Sequence, residues 1–351
     1  IVFVAGSYQP KAMHGSWGHM HFLMKHLARL GLGLCVMLSL ASLDYHVFRR
    51  AELIWTLLVV SLGLTALAVI LGGGRWLPRL LGLFPIQPVE IAKIALVLFL
   101  ARQFSRTGVR SVRDPRYLGQ NLVPALALVG ILILQPNYGS ALVVCLVTLI
   151  LMFASGVSLR LLGAGLGGLV LAAFVAFEAV GKIHYRVTAW WHSIWDVDAA
   201  PYQVLQSLIG FGAGGPMGRG IGDSHQRFWF LPESHTDFVY AVIGEEMGLW
   251  GTLATLVLFA VFAWRGLAIA GRASDPFGRL AAIGLSSMIF IYVAANMTMV
   301  LGVMPVMGLP LPFISYGGSA LVTNLAAVGL LLSIDRYGRS YQEARTRWHR
   351  R

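Results

Sequence analysis

The stretch HTDFVYAVIGEEMGLWGTLATLVLFAVFAW, His235–Trp264, decides the fold. From Phe238 onward it is apolar for long enough to cross a bilayer as a helix, which takes about 20 residues. Yet it opens on His235, Thr236 and Asp237, follows Glu233 and Ser234, and carries Glu245 and Glu246 within it. Each ionisable group inside the apolar core costs about 2.5 to 3.5 kcal/mol on insertion scales, so it calls for a partner or a role. Glu245 and Glu246 lie about 12 to 14 Å beyond Asp237 at a rise of 1.5 Å per residue. They do not share its site: Glu246 reads as an interhelical hydrogen-bonding group, and Glu245 has no reading from the sequence.

The rest of the chain is of the same kind. With 57% hydrophobic and 12% charged residues over 351 positions, and a mean hydropathy of +0.72, it has too little polar surface to cover a soluble globule. Apolar runs near 25–43, 52–71, 86–104, 120–135, 137–155, 159–179, 238–264, 280–304 and 316–335 predict nine spans. The apolar opening Ile1–Ala5, with no initiator Met, reads as the surviving end of one more. The expectation is an all-α polytopic transmembrane helix bundle of about ten spans, the first truncated, forming a single integral membrane domain over 1–351.

Lys and Arg in short loops stay on the cytoplasmic side. Segments 44–51, 102–119, 156–160, 265–279 and the tail after Asp335 hold most of the 27. That assignment makes 180–237 a large extracytoplasmic loop between the seventh and eighth spans, and 336–351 a basic cytoplasmic tail. The net charge of +12 is then a signal of topology and of contact with anionic membrane lipids, and argues against nucleic acid as a partner. Cys35 and Cys145 fall in apolar helices without a CxxC or His-rich context and read as packing residues.

Within the outer loop, PYQVLQSLIGFG (Pro201–Gly212) spaces Val204, Leu205, Leu208 and Ile209 for one face of a helix lying along the membrane surface. The following GFGAGGPMGRGIGDSHQ (Gly210–Gln226) matches GxGxxG by letter at Gly210, Gly212 and Gly215, but no strand precedes it. It reads as a flexible loop whose backbone approaches a ligand. In QPVEIAKIAL (Gln87–Leu96), Glu90 and Lys93 share a helix face. They fit a self-neutralising buried pair, and equally the polar wall of a cavity for an anionic headgroup. PVMGLPLPFISYGGSA (Pro305–Ala320) breaks helical periodicity with three prolines and then supplies small residues, which suits an irregular loop lining a cavity.

Six segments together, IQPVEIAK, LQPNYGSA, YQVLQSLI, FLPESHTDF, VIGEEMGLWG and PLPFISYGGSA, resemble in order the motifs of the SEDS family, the FtsW, RodA and SpoVE proteins of bacterial wall synthesis. GDSHQRFWFLPESHTDFVYAVIGEE looks most like the division-type FtsW branch. The resemblance implies a peptidoglycan glycosyltransferase in the bacterial inner membrane that polymerises lipid II on the outer face, in cell division. It implies a class B penicillin-binding protein, a single-span transpeptidase, as partner, together with other divisome membrane proteins.

Asp237 matches the family's essential aspartate and is the expected general base; taken alone it reads as the N-cap of the following helix, and the two roles are compatible. Substrate binding is expected at Arg75, Trp76, Glu90, Lys93, Arg186, Gln203, Glu233, His235 and Ser315, with Arg219 and Arg227 as further cations. No residues have the spacing of a dedicated metal site, so a Mg²⁺ or Mn²⁺ would travel with the pyrophosphate. The chain departs from the family pattern at Val89, Asn137, Met307 and Ala320. A lipid II flippase or transporter, suggested by intramembrane Glu90 and Lys93, and an inactive scaffold for the transpeptidase are the competing readings.

Overall fold

A computed structural model describes residues 17–71, 87–106, 114–226, 230–232 and 235–349, and regular structure there is helical. The helices are α1 (Trp17–Ser42), α2 (Ala51–Ile70), α3 (Pro88–Arg106), α4 (Pro115–Leu134), α5 (Tyr138–Ala154), α6 (Leu159–Ala179), α7 (Gly181–Ser193), α8 (Tyr202–Gly214), α9 (Val239–Arg272), α10 (Pro276–Val300) and α11 (Gly318–His349). Each of the nine apolar runs has its helix. Seven of these (α1, α2, α4, α6, α9, α10 and α11) are long and apolar enough to cross a membrane. Helix α5 is apolar but shorter, and α3 carries Glu90, Lys93, Arg102 and Arg106. The chain is a multi-pass membrane protein. Residues 1–16, Arg75, Trp76, Arg227 and Glu233 lie outside the described residues.

Helix starts follow local chemistry. Proline opens α3, α4 and α10, where its missing N–H has no intrahelical partner to lose. Asp114 caps α4 by accepting from Arg116 N at 2.9 Å, and Asp275 caps α10 by accepting from Gly278 N at 3.2 Å.

The chain divides into two compact units, one of Ile1–Gly31, Val170–Val261 and Ile291–Gly317, the other of Leu32–Leu169, Phe262–Phe290 and Gly318–Arg351. In the second, α3 is the central helix, packed by α2, α4, α5 and α11 and buried along nearly its whole length. That burial explains how α3 holds charges: Lys93, 2% exposed, donates to Glu90 Oε1 at 2.8 Å, and Arg102 Nε donates to Arg49 O at 2.9 Å. Glycines close the packing. A Cβ on Gly284 would collide with Val97, and one on Gly329 with Met37 and Leu40. In the turn Gln135–Asn137 the Gln135 and Asn137 side chains are buried, with Gln135 Nε2 donating to Thr65 O at 3.0 Å, so Asn137 sits in a structural corner.

The first unit is built on an apolar cluster including Phe238, Tyr240, Phe259, Val293, Val300 and Leu311. The expected outer loop contains α7 and α8, and α8 corrects the reading of its apolar face. Its buried stripe is Val204, Ser207, Gly210 and Gly214, while Ile209 is exposed and Leu205 and Leu208 are half-buried. Small side chains decide this face because the partner backbone comes so close: a Cβ on Gly214 would meet Glu245 Cα at 2.9 Å.

Candidate active site

The glycine-rich segment after α8 is a backbone splice. Helix α9 is broken at Gly248, which adopts φ 64. The carbonyls freed by the break are taken by the segment: Arg219 N donates to Glu245 O and Gly220 N to Glu246 O, both at 3.0 Å. Leu249 N donates back to Gly215 O at 2.9 Å. Glycine is required at 248 and 218 because both have positive φ and lie against facing backbone. The fully buried Glu245 carboxylate holds the next turn, accepting from Ser224 Oγ at 2.5 Å, His225 N at 3.0 Å and Gln226 N at 3.1 Å. Arg219 lies 3.6 Å from the same carboxylate, so its charge compensates Glu245.

Asp237 sits at the mouth of α9. The helix begins at Val239, so Phe238 takes the N-cap position and Asp237 lies one residue further out, partly exposed. Its Oδ2 would be 3.3 Å from a Cβ on Gly308, which has φ 66, so the bare glycine leaves the carboxylate room. The backbone around it is clamped. Asn296, fully buried on α10, donates both amide hydrogens, to Asp237 O at 2.7 Å and Leu309 O at 2.6 Å. Tyr316 N donates to His235 O at 2.9 Å. Ser315 Oγ donates to Thr236 O at 2.5 Å and accepts from Leu311 N at 2.7 Å. Ser315, 4% exposed, is thus a staple between the two segments. Phe313 completes the turn in the left-handed region at φ 65, packed on Phe259. Strained backbone of this kind costs about 1–3 kcal/mol and collects at functional sites.

Among the described residues, a cation that the sequence did not single out is brought to this motif. The Arg29 guanidinium lies 5.1 Å from the centre of the Tyr316 ring, and His26, one turn away on α1 and 4% exposed, stacks on the same ring at 5.8 Å. The His235 ring approaches it at 6.1 Å. Of the other expected residues, Arg186 lies half-buried in the middle of α7. Gln203 lies half-buried in the first turn of α8. Glu90 and Lys93 form their ion pair within the second unit. Among the described residues no three His, Cys, Asp or Glu side chains converge to hold a metal ion.

Asn296 and Arg29 were missed for different reasons. A single Asn in IYVAANMTMV carries no local signal, and an arginine near the start of a span reads as a residue reaching for the interface.

The family model for FtsW, RodA and SpoVE, described as cell cycle protein, matches residues 1–340. The chain is 37% identical over 329 residues to the probable peptidoglycan glycosyltransferase FtsW of Trichlorobacter lovleyi, covering 90% of this chain and 84% of that one. It is 36% identical to the stage V sporulation protein E of Bacillus subtilis, covering 91% and 88%. It is likewise 36% identical to the peptidoglycan glycosyltransferase MrdB of Escherichia coli K12, covering 89% and 85%. These similar identities do not separate the branches. A solved structure described as the structural coordination of polymerization and crosslinking by a peptidoglycan synthase complex superposes with TM-score 0.76 at 30% identity, covering 96% and 94%. The rod shape determining protein RodA of Thermus thermophilus superposes at 0.66 with 30% identity, covering 95% and 92%. With the motifs in order, the helices in place and the family model running through nearly the whole chain, this protein belongs to the SEDS family of peptidoglycan glycosyltransferases, that of FtsW, RodA and SpoVE.

Proposed function

We propose that the chain polymerises lipid II, with Asp237 as general base. The 4-hydroxyl of an acceptor GlcNAc attacks C1 of a donor MurNAc, its proton passes to the Asp237 carboxylate, and undecaprenyl pyrophosphate leaves. The observation that carries this reading is a partly exposed carboxylate beside a glycine, on backbone clamped by Asn296, Ser315 and Tyr316. A base fixed in this way contributes about 10²- to 10⁴-fold to such a transfer.

The distribution of Lys and Arg supports a site on the outer face of the inner membrane, where an acceptor sugar meets water while its lipid tail stays in the bilayer. Likeness to a peptidoglycan synthase complex supports a class B penicillin-binding protein as partner. The segment leading into HTDF supports the division role. A divalent cation accompanying the substrate would be held by the pyrophosphate oxygens.

A broken helix is also a transporter feature, which favours the flippase reading. At Gly248, however, backbone partners from 215–220 already occupy groups that would otherwise meet an ion. Purified protein with and without a class B transpeptidase, supplied with lipid II, tests the reading. Glycan strands made by the wild type and lost in Asp237→Ala are expected. Headgroup crossing without strands would establish the flippase instead, and transpeptidase binding with neither activity would establish the scaffold.

A further inference from the structure

We infer that Arg29, held over the Tyr316 ring, is the cation that binds the departing pyrophosphate. The inference rests on the polymerase reading and names the residue that meets the leaving group. Arg29 makes no ion pair among the described residues, and its side chain is half-buried. Among the described residues its charge is therefore uncompensated, at a membrane-spanning segment where such a charge demands an anionic partner. The guanidinium is not simply reaching for water. It is drawn onto an aromatic face, and cation–π attraction of this kind fixes its plane. Its fork of donors is then preorganised for the oxygens of a phosphate, which a lysine in the same place would meet only as a point charge.

The ring that carries Arg29 is tied to the catalytic strand of chain. Tyr316 N donates to His235 O, and the adjacent Ser315 hydroxyl donates to Thr236 O, next to Asp237. His26 stacks on the same ring, so the α1 side of the cluster is built and not incidental. Of the expected cations among the described residues, Arg219 compensates Glu245 and Lys93 is paired with Glu90.

In the step itself, the C1–O bond to pyrophosphate breaks with its electron pair going to the phosphate oxygen. The acceptor oxygen bonds C1 and gives its proton to Asp237. Arg29 receives the charge that develops on the leaving oxygen, where it counts most.

The test uses the full chain in detergent and measures inhibition of lipid II polymerisation by undecaprenyl pyrophosphate, with binding of inorganic pyrophosphate measured separately by calorimetry. Arg29→Gln should weaken both by about tenfold or more, the scale of a lost charge-assisted contact, and slow turnover. Arg29→Lys should recover part of the affinity but not the full rate. If both variants slow turnover while inhibition and pyrophosphate binding stay within about twofold of wild type, Arg29 is only a packing residue and the inference fails. If wild-type protein makes no strands yet loses pyrophosphate binding on Arg29→Gln, the polymerase reading falls and the anion site stands.

Discussion

Replacing Asn296 by Leu tests how the fold holds the proposed base, Asp237. The change keeps the approximate volume and removes both amide donors, leaving the buried Leu309 O and the part-buried Asp237 O without them. A buried carbonyl deprived of its donor costs about 1–3 kcal/mol, and a part-buried one less. Little of that needs to appear as unfolding, because Ser315 and Tyr316 still hold the neighbouring carbonyls of Thr236 and His235. The strain is released by letting the 237–238 backbone and the 309 turn move. A displacement on the order of 1 Å at a catalytic group costs about 10²-fold in rate. Lipid II polymerisation by the full chain, followed with thermal unfolding of the same preparation, should show a fall in kcat of about two decades in protein that retains a cooperative transition. Asn296→Asp, which keeps the shape but presents oxygens to both carbonyls, should be at least as impaired. Wild-type kcat in folded Asn296→Leu would refute the clamp.

Gly308→Ala places a methyl 3.3 Å from Asp237 Oδ2 and forces a left-handed alanine, a strain of about 1–2 kcal/mol; kcat for lipid II should fall while KM changes little. Glu90→Gln or Lys93→Met breaks a pair whose side chains are 11% and 2% exposed, and each should lower stability by about 3–5 kcal/mol, with the double replacement less damaging than their sum in denaturation of the solubilised protein. The Tyr45 phenol, in the connection between α1 and α2, is pushed far above its ordinary value of 10 by burial and by donation to Asp275. Its neutral form is thus favoured in the fold, so its contribution is complete below pH 10 and shrinks as pH rises further and the unfolded phenol ionises first. Thermal unfolding should therefore decline more steeply above pH 10 in wild type than in Tyr45→Phe.

The helices were legible because apolar runs of membrane length have few other fates: each of the nine runs, the charged α3 among them, is a helix, and seven of these are long and apolar enough to span. What hydropathy concealed is packing by absence. The buried face of α8 is chosen by Ser207, Gly210 and Gly214 because a backbone lies against it, whereas the larger Ile209 is left outside. The same physics makes part of the glycine-rich segment Gly210–Gln226, expected as a flexible loop, the splice that repairs α9 at Gly248. At the site, HTDF pointed to Asp237, but Asn296, which holds its backbone, comes from α10, and Arg29, over the Tyr316 ring, comes from α1, so no local pattern links either to the motif. Glu245, which had no reading from sequence, is explained only by the three donors that 224–226 fold around it.

The most direct measurement is glycan-bond formation in Asp237→Asn, which keeps the size and neighbours of the side chain and removes only its capacity to take a proton. With saturating lipid II and matched thermal stability, the rate should drop by about 10²-fold or more while lipid II binding persists. Strand synthesis at the wild-type rate in that variant would mean the proton goes elsewhere and the assignment of the base is wrong.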